Sequence, residues 1–146
     1  MTSWVVADSG IYLAIALKEP QAKQAQALIE RWRQILMRVA APYLFRYEVV
    51  SVIRKHIARG YISLEDGTNA VNELTQLPVT FYSGKSIADR AFELANEHNR
   101  PSAYDSFYLA LAEQLQCEFW TADLKLFNAV SQKLAWVKWL GNFFSL

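Results

Sequence analysis

At 146 residues, 53% hydrophobic and 14% aromatic, the chain has the length and side chains for one domain with its own core. Fifteen Lys and Arg against fourteen Asp and Glu leave a formal net charge of +1, which excludes a polybasic protein that binds nucleic acid indiscriminately. A single cysteine, Cys117, and two histidines, His56 and His98, exclude an intrachain disulfide and a Cys/His zinc cluster.

Trp4-Val5-Val6-Ala7 reads as a short strand buried on both faces, with a helix starting at Asp8 or Ser9. Pro20 fits the first turn of a long helix through Arg38, with Ala22, Ala25, Leu28, Ile29, Trp32, Ile35 and Leu36 on one stripe. Val39-Ala40-Ala41 is a brief strand, and Pro42 opens a helix to about Ala58 that Gly60 stops. Ser63 caps a helix through about Gln76. Pro78 to Phe81 is a strand. Lys85 to His98 is a helix with Ile87, Ala91, Leu94 and Ala95 inward. Ser102 caps a helix from Ala103 to Gln116. Glu118-Phe119-Trp120 is a strand, a helix runs from Asp123 to about Lys133, and Ala135-Trp136-Val137 is a last strand before a tail with a helical turn. Strands alternating with helices imply an α/β fold, a short, mostly parallel sheet covered on both faces. Residues 1–146 read as a single domain. No apolar stretch approaches about 18 residues, so no membrane span is expected. Met1-Thr2-Ser3-Trp4 lacks the regions of a signal peptide. Together these predict a soluble cytoplasmic protein, with Cys117 a reduced, buried hydrophobe.

Four acids stand against this apolar background. Asp8 ends the first strand, Glu48 interrupts the helix pattern Leu44-Phe45-Tyr47-Val49-Val50, Asp105 opens Asp105-Ser106-Phe107-Tyr108-Leu109, and Asp123 follows Phe119-Trp120-Thr121-Ala122. Helix capping is the bland reading of Asp8 and Asp123, and a capping box from Ser102 that of Asp105. Capping does not apply to Glu48, inside a helix between Leu44 and Val52. Carboxylates in apolar segments are costly unless paired, hydrogen-bonded or metal-bound. An oxygen-ligand site for a divalent cation explains all four. In a parallel sheet, ligands collect beyond the carboxyl ends of the strands, where these segments can meet.

The segments Val5-Val6-Ala7-Asp8-Ser9, Tyr47-Glu48-Val49-Val50-Ser51, Tyr104-Asp105-Ser106-Phe107-Tyr108-Leu109-Ala110-Leu111-Ala112 and Thr121-Ala122-Asp123-x-x-Leu126 resemble, in this order and spacing, the PIN-domain nucleases, and among them the toxins of VapBC toxin–antitoxin pairs. The resemblance implies a three-layer α/β/α sandwich and a metal-dependent endoribonuclease that hydrolyses RNA with a metal-activated water. It assigns Asp8, Glu48, Asp105 and Asp123 as catalytic ligands of Mg²⁺ or Mn²⁺, with Thr121, Ser9 and Ser51 in support; many relatives carry Asn where this chain has Ser51. Arg46 and Lys125 are the candidate RNA contacts, though an ordinary solvated helix face accounts for such charges as well. The resemblance further implies a cognate antitoxin and a homodimer, for which the aromatic tail Trp136 to Phe144 is a candidate surface; packing on its own core is the plainer role for that tail. Three rival readings stay open. One is a PIN-fold scaffold that binds RNA or protein without cutting. Another is a DNA nuclease, and the third a phosphatase with Asp8 as nucleophile, disfavoured because Gly10 stands where a second acid is wanted.

Overall fold

Val5, Val6 and Ala7 are fully buried, as an apolar run is when it forms the middle strand of a parallel sheet. The structure, a computed structural model, describes residues 3–144. In chain order the elements are β1 (Trp4–Ala7), α1 (Ser9–Ala16), α2 (Ala22–Gln34), β2 (Arg38–Pro42), α3 (Leu44–Ala58), α4 (Leu64–Thr75), β3 (Val79–Tyr82), α5 (Lys85–Glu97), α6 (Tyr104–Leu115), β4 (Glu118–Thr121), α7 (Leu124–Val130) and β5 (Val137–Trp139), with a 3₁₀ turn at Leu140–Asn142. The five strands form one parallel sheet in the order β3-β2-β1-β4-β5.

That order locates the site. From β1 the chain steps outward through β2 to β3, then returns across the sheet to β4 on the other side of β1. Parallel crossovers are right-handed, so α1 to α4 cover one face and α5 to α7 the other. Consistent with this, α6 packs on β1, β2 and β4. The order reverses between β1 and β4, and in such sheets the crevice beyond the carboxyl ends at the reversal receives ligands. Asp8 follows β1 and Asp123 follows β4, with Ala7 in register with Trp120.

Several boundaries differ from those the sequence suggests. Helix α2 stops at Gln34 instead of Arg38. Leu36 turns left-handed (φ 60°), its N–H donates to the Arg33 carbonyl (3.2 Å), and that of Met37 donates to the Trp32 carbonyl (2.8 Å), a Schellman stop. Arg38 is thereby free to pair beside Trp4, and Ile35 and Leu36 are exposed rather than inward. Pro42 ends β2, in register with Tyr82, instead of opening α3. Ala103 occupies the cap position of α6 and no side chain caps it, so Ser102 plays no such role. Helix α7 ends at Val130, not Lys133. The last strand lies two residues later than expected because Val137, nearly fully buried, aligns with Phe119. Cys117 is a free thiol, half-buried rather than buried.

The aromatic tail folds back on its own sheet. Phe127 stacks with Trp139, Phe143 meets Trp120 edge-on, and the Gln24 side-chain amide donates to the Phe143 carbonyl (3.0 Å). The Trp139 indole lies directly over Gly141, where a Cβ would collide with the ring. Gly141→Ala is therefore expected to destabilise the fold by about 1–3 kcal/mol, the usual cost of overpacking; a melting temperature equal to that of the parent would show that the indole moves freely. No helix among the described residues is long and apolar enough to cross a membrane.

Candidate active site

Asp8 is the N-cap of α1. Its Oδ1 accepts from the Ile11 N–H (3.3 Å) and its Oδ2 from the Thr121 hydroxyl. The Ala122 N–H stands 3.5 Å from Oδ1. Burial, and secondarily the charge of Glu48, pushes the Asp8 carboxyl up to about 7, against the hydrogen bonds that favour its charged form.

Thr121, the fully buried last residue of β4, serves two acids at once. Its hydroxyl donates to Asp8, and the same oxygen accepts the Asp123 N–H (2.9 Å). Asp123 caps α7, its Oδ1 accepting from the Lys125 (2.9 Å) and Leu126 (3.2 Å) N–H groups. The capping reading of Asp8 and Asp123 therefore describes a bond each makes, and for Asp8 it leaves the acid in contact with the far strand as well.

Glu48 projects from α3 toward α1 and α6. Its Oε1 accepts from the Ser9 hydroxyl (3.1 Å) and the Tyr108 phenol (2.5 Å). Its carboxyl is raised by burial, with Asp105 adding repulsion. Asp105 lies in the first turn of α6 and is raised by burial and by the charge of Asp123; the Arg100 guanidinium, 3.4 Å away, pulls the other way. The acids are thus coupled as a chain, Asp8 to Glu48 to Asp105 to Asp123, across four segments remote in sequence. Among the described residues no three His, Cys, Asp or Glu side chains form a ready-made ligand cluster; the coupling is pairwise. The donor set is nonetheless all oxygen and net negative, and a neighbouring acid adds to the raised carboxyls of Asp8, Glu48 and Asp105. Hard divalent cations such as Mg²⁺ take oxygen ligands of this kind.

The other candidates are less central. Ser51 is exposed on α3 and takes no part in the hydrogen bonds that link the acids. Arg46 lays its guanidinium on the Phe81 ring, 4.5 Å from the centroid. Lys125 is exposed beside Asp123. Sequence reasoning gave no role to two residues that the fold brings to the acids, Tyr108 and Arg100. Tyr108 had a signal: it lies three residues after Asp105, hence on the same face of a helix. Arg100 had none, because a left-handed turn sets its direction.

Residues 5–133 match the PIN domain family. The chain is 34% identical over 122 residues to a VapC ribonuclease of Mycobacterium bovis, an alignment covering 84% of this chain and 87% of that protein. Two solved structures share its fold. One, from Pyrobaculum aerophilum, has a TM-score of 0.64 at 16% identity and covers 88% of this chain and 87% of its own. The other is part of a toxin–antitoxin complex from Klebsiella pneumoniae, with a TM-score of 0.63 at 21% identity, covering 91% and 94%.

Proposed function

Since the chain belongs to the PIN-domain family, we propose that it is a metal-dependent endoribonuclease, the toxin of a toxin–antitoxin pair. The observation that carries this reading is the coupled run of four carboxylates beyond the carboxyl ends of β1 and β4. The likeness to a VapC ribonuclease supports RNA as the substrate, and the likeness to a chain of a toxin–antitoxin complex supports an antitoxin as partner. Exposed Tyr43, Tyr47, Val50 and Tyr104, on the segments that carry Glu48 and Asp105, offer an apolar surface suited to a protein partner or a second copy.

Asp8, Glu48, Asp105 and Asp123 would hold Mg²⁺ or Mn²⁺. Bound there, the cation supplies Lewis acidity that activates water and offsets charge gathering on the phosphate. The protein's part is orientation. Thr121 fixes Asp8 relative to Asp123, and Ser9 and Tyr108 fix Glu48 from two sides. Partners of this kind typically contribute 10–100-fold to metal affinity or activity.

Cleavage of tRNA, rRNA and mRNA fragments with Mg²⁺, Mn²⁺ or EDTA tests the reading, with Glu48→Gln as control. The expected result is cutting that needs the metal and falls about 100-fold or more in the variant. A folded, antitoxin-free protein that binds RNA yet cuts none would instead be a scaffold, and cutting confined to DNA would make it a DNA nuclease.

A further inference from the structure

The arginine in contact with Asp105 is poorly satisfied. Arg100 follows the left-handed Asn99 (φ 51°) at the end of α5, and its N–H donates to the Ala95 carbonyl (2.8 Å), closing a Schellman turn. Backbone groups therefore close the end of α5, and the Arg100 side chain is not needed there. That side chain is only 16% exposed. Its Nη2 makes one long bond, 3.4 Å, to Asp105, and its Nε is buried without a partner. Arg90, within α5, shows what a structural arginine does here: it bonds Glu93, Glu97 and Glu113 through three nitrogens. A buried guanidinium with spare donors is costly unless an anion completes its shell. Guanidinium geometry matches a phosphate, which can take two parallel N–H bonds.

We propose that Arg100 is a substrate-binding residue of the site, which steadies the Asp105 carboxylate and presents its unused N–H donors to a backbone phosphate of the RNA. The inference rests on the nuclease reading. It also resolves a conflict of charge. An RNA strand must approach four carboxylates, while Arg46 is engaged on Phe81 and Lys125 stands outside in solvent. Among the described residues, Arg100 is the cation whose side chain contacts one of the four.

Arg100→Gln and Arg100→Lys, assayed on a single-stranded RNA over a range of KCl concentrations, test this. For the Gln variant kcat/KM is expected to fall about 100-fold. The slope of log(kcat/KM) against log[KCl] should flatten by about 0.7, the value expected when one phosphate of a single strand is no longer neutralised. The Lys variant keeps the charge but not the fork, so it should keep the slope and recover only part of the rate. A lowered melting temperature with unchanged slope and unchanged kcat/KM per folded molecule would mean a purely structural arginine. If Gln at this position prevents folding, the Lys variant decides: parental kcat/KM would overturn the inference. Should the parent protein itself fail to bind or cut RNA, the nuclease reading falls and this inference with it. Should the parent cut RNA while the Gln slope stays parental, only this inference falls.

Discussion

Replacing Asp8 by Asn is expected to cost at least about 10²–10³-fold in RNA cleavage and, in metal-free protein above pH 7, to raise the melting temperature. The two effects have one cause. The Asp8 carboxyl titrates near 3.8 when unfolded and at about 7 in the fold, chiefly because it is buried and secondarily because Glu48 repels it. Between those values the folded state holds a proton that the unfolded state has lost, so stability falls as pH rises through the window. Below about 3.8 there is no penalty; above about 7 it is complete. The gap between 3.8 and about 7 sets a ceiling of about 4 kcal/mol. Asp8 nonetheless keeps some contact with solvent, which screens its charge, so about 1–3 kcal/mol is expected, a few degrees to several in melting temperature. Asn is neutral and its one oxygen can still accept from Thr121, so it removes the charge penalty but gives up the weaker, 3.3 Å bond from the Ile11 N–H.

Thermal melts at pH 5 and pH 8 separate this account from others. The gain should be clear at pH 8 and smaller at pH 5. Mn²⁺ should stabilise the parent protein at pH 8, by binding the folded state alone, and stabilise Asp8→Asn much less. A variant that melts below the parent at pH 8 would show that Asp8 is held charged by partners that outweigh its burial. Full cleavage by the variant would remove Asp8 from the site.

Much of this arrangement is legible in the sequence because it rests on period and type. The run Trp4–Ala7 has the character of a central strand. The spacing of Ile87, Ala91, Leu94 and Ala95 orients α5. Glu48 is conspicuous because no capping role is open to it. What the sequence hides is where helices stop. Lys18, Leu36, Asn99 and Gln116 all adopt positive φ at helix ends, where glycine is the usual signal. The demands of sheet pairing and core packing outweigh the local cost of a side chain there. One such turn carries α2 into β2 earlier than the apolar stripe suggests. Another aims Arg100 at Asp105, which no pattern of hydrophobicity records. Ser102 illustrates the converse: its spacing to Asp105 fits a capping box, yet the chain places Ala103 at the cap and gives the carboxylate a guanidinium instead.

Thr121 is the residue on which the second large effect should fall. Its single hydroxyl joins the two strands that flank the crevice, donating to Asp8 and accepting from the Asp123 backbone. Val has nearly the same shape, so Thr121→Val changes the packed volume little while deleting both bonds of the hydroxyl. The Asp123 N–H then loses its acceptor; because Asp123 is exposed, water replaces part of the bond and the loss is about 0.5–1.5 kcal/mol in stability. Asp8 loses the bond that most lowers its proton affinity, so its carboxyl should rise further above 7. Cleavage should fall about 10–100-fold, the range for partners that orient metal-binding groups. The alkaline side of the activity profile should recover more than the neutral side, because a more basic Asp8 needs higher pH to ionise. Thr121→Ser retains the hydroxyl and should restore most of the activity. A uniform fall across pH, or equal loss in Ser and Val variants, would assign Thr121 to packing alone. A pH-dependent deficit in the Val variant that Ser repairs would tie the chemistry of Asp8 to one buried hydroxyl on the neighbouring strand.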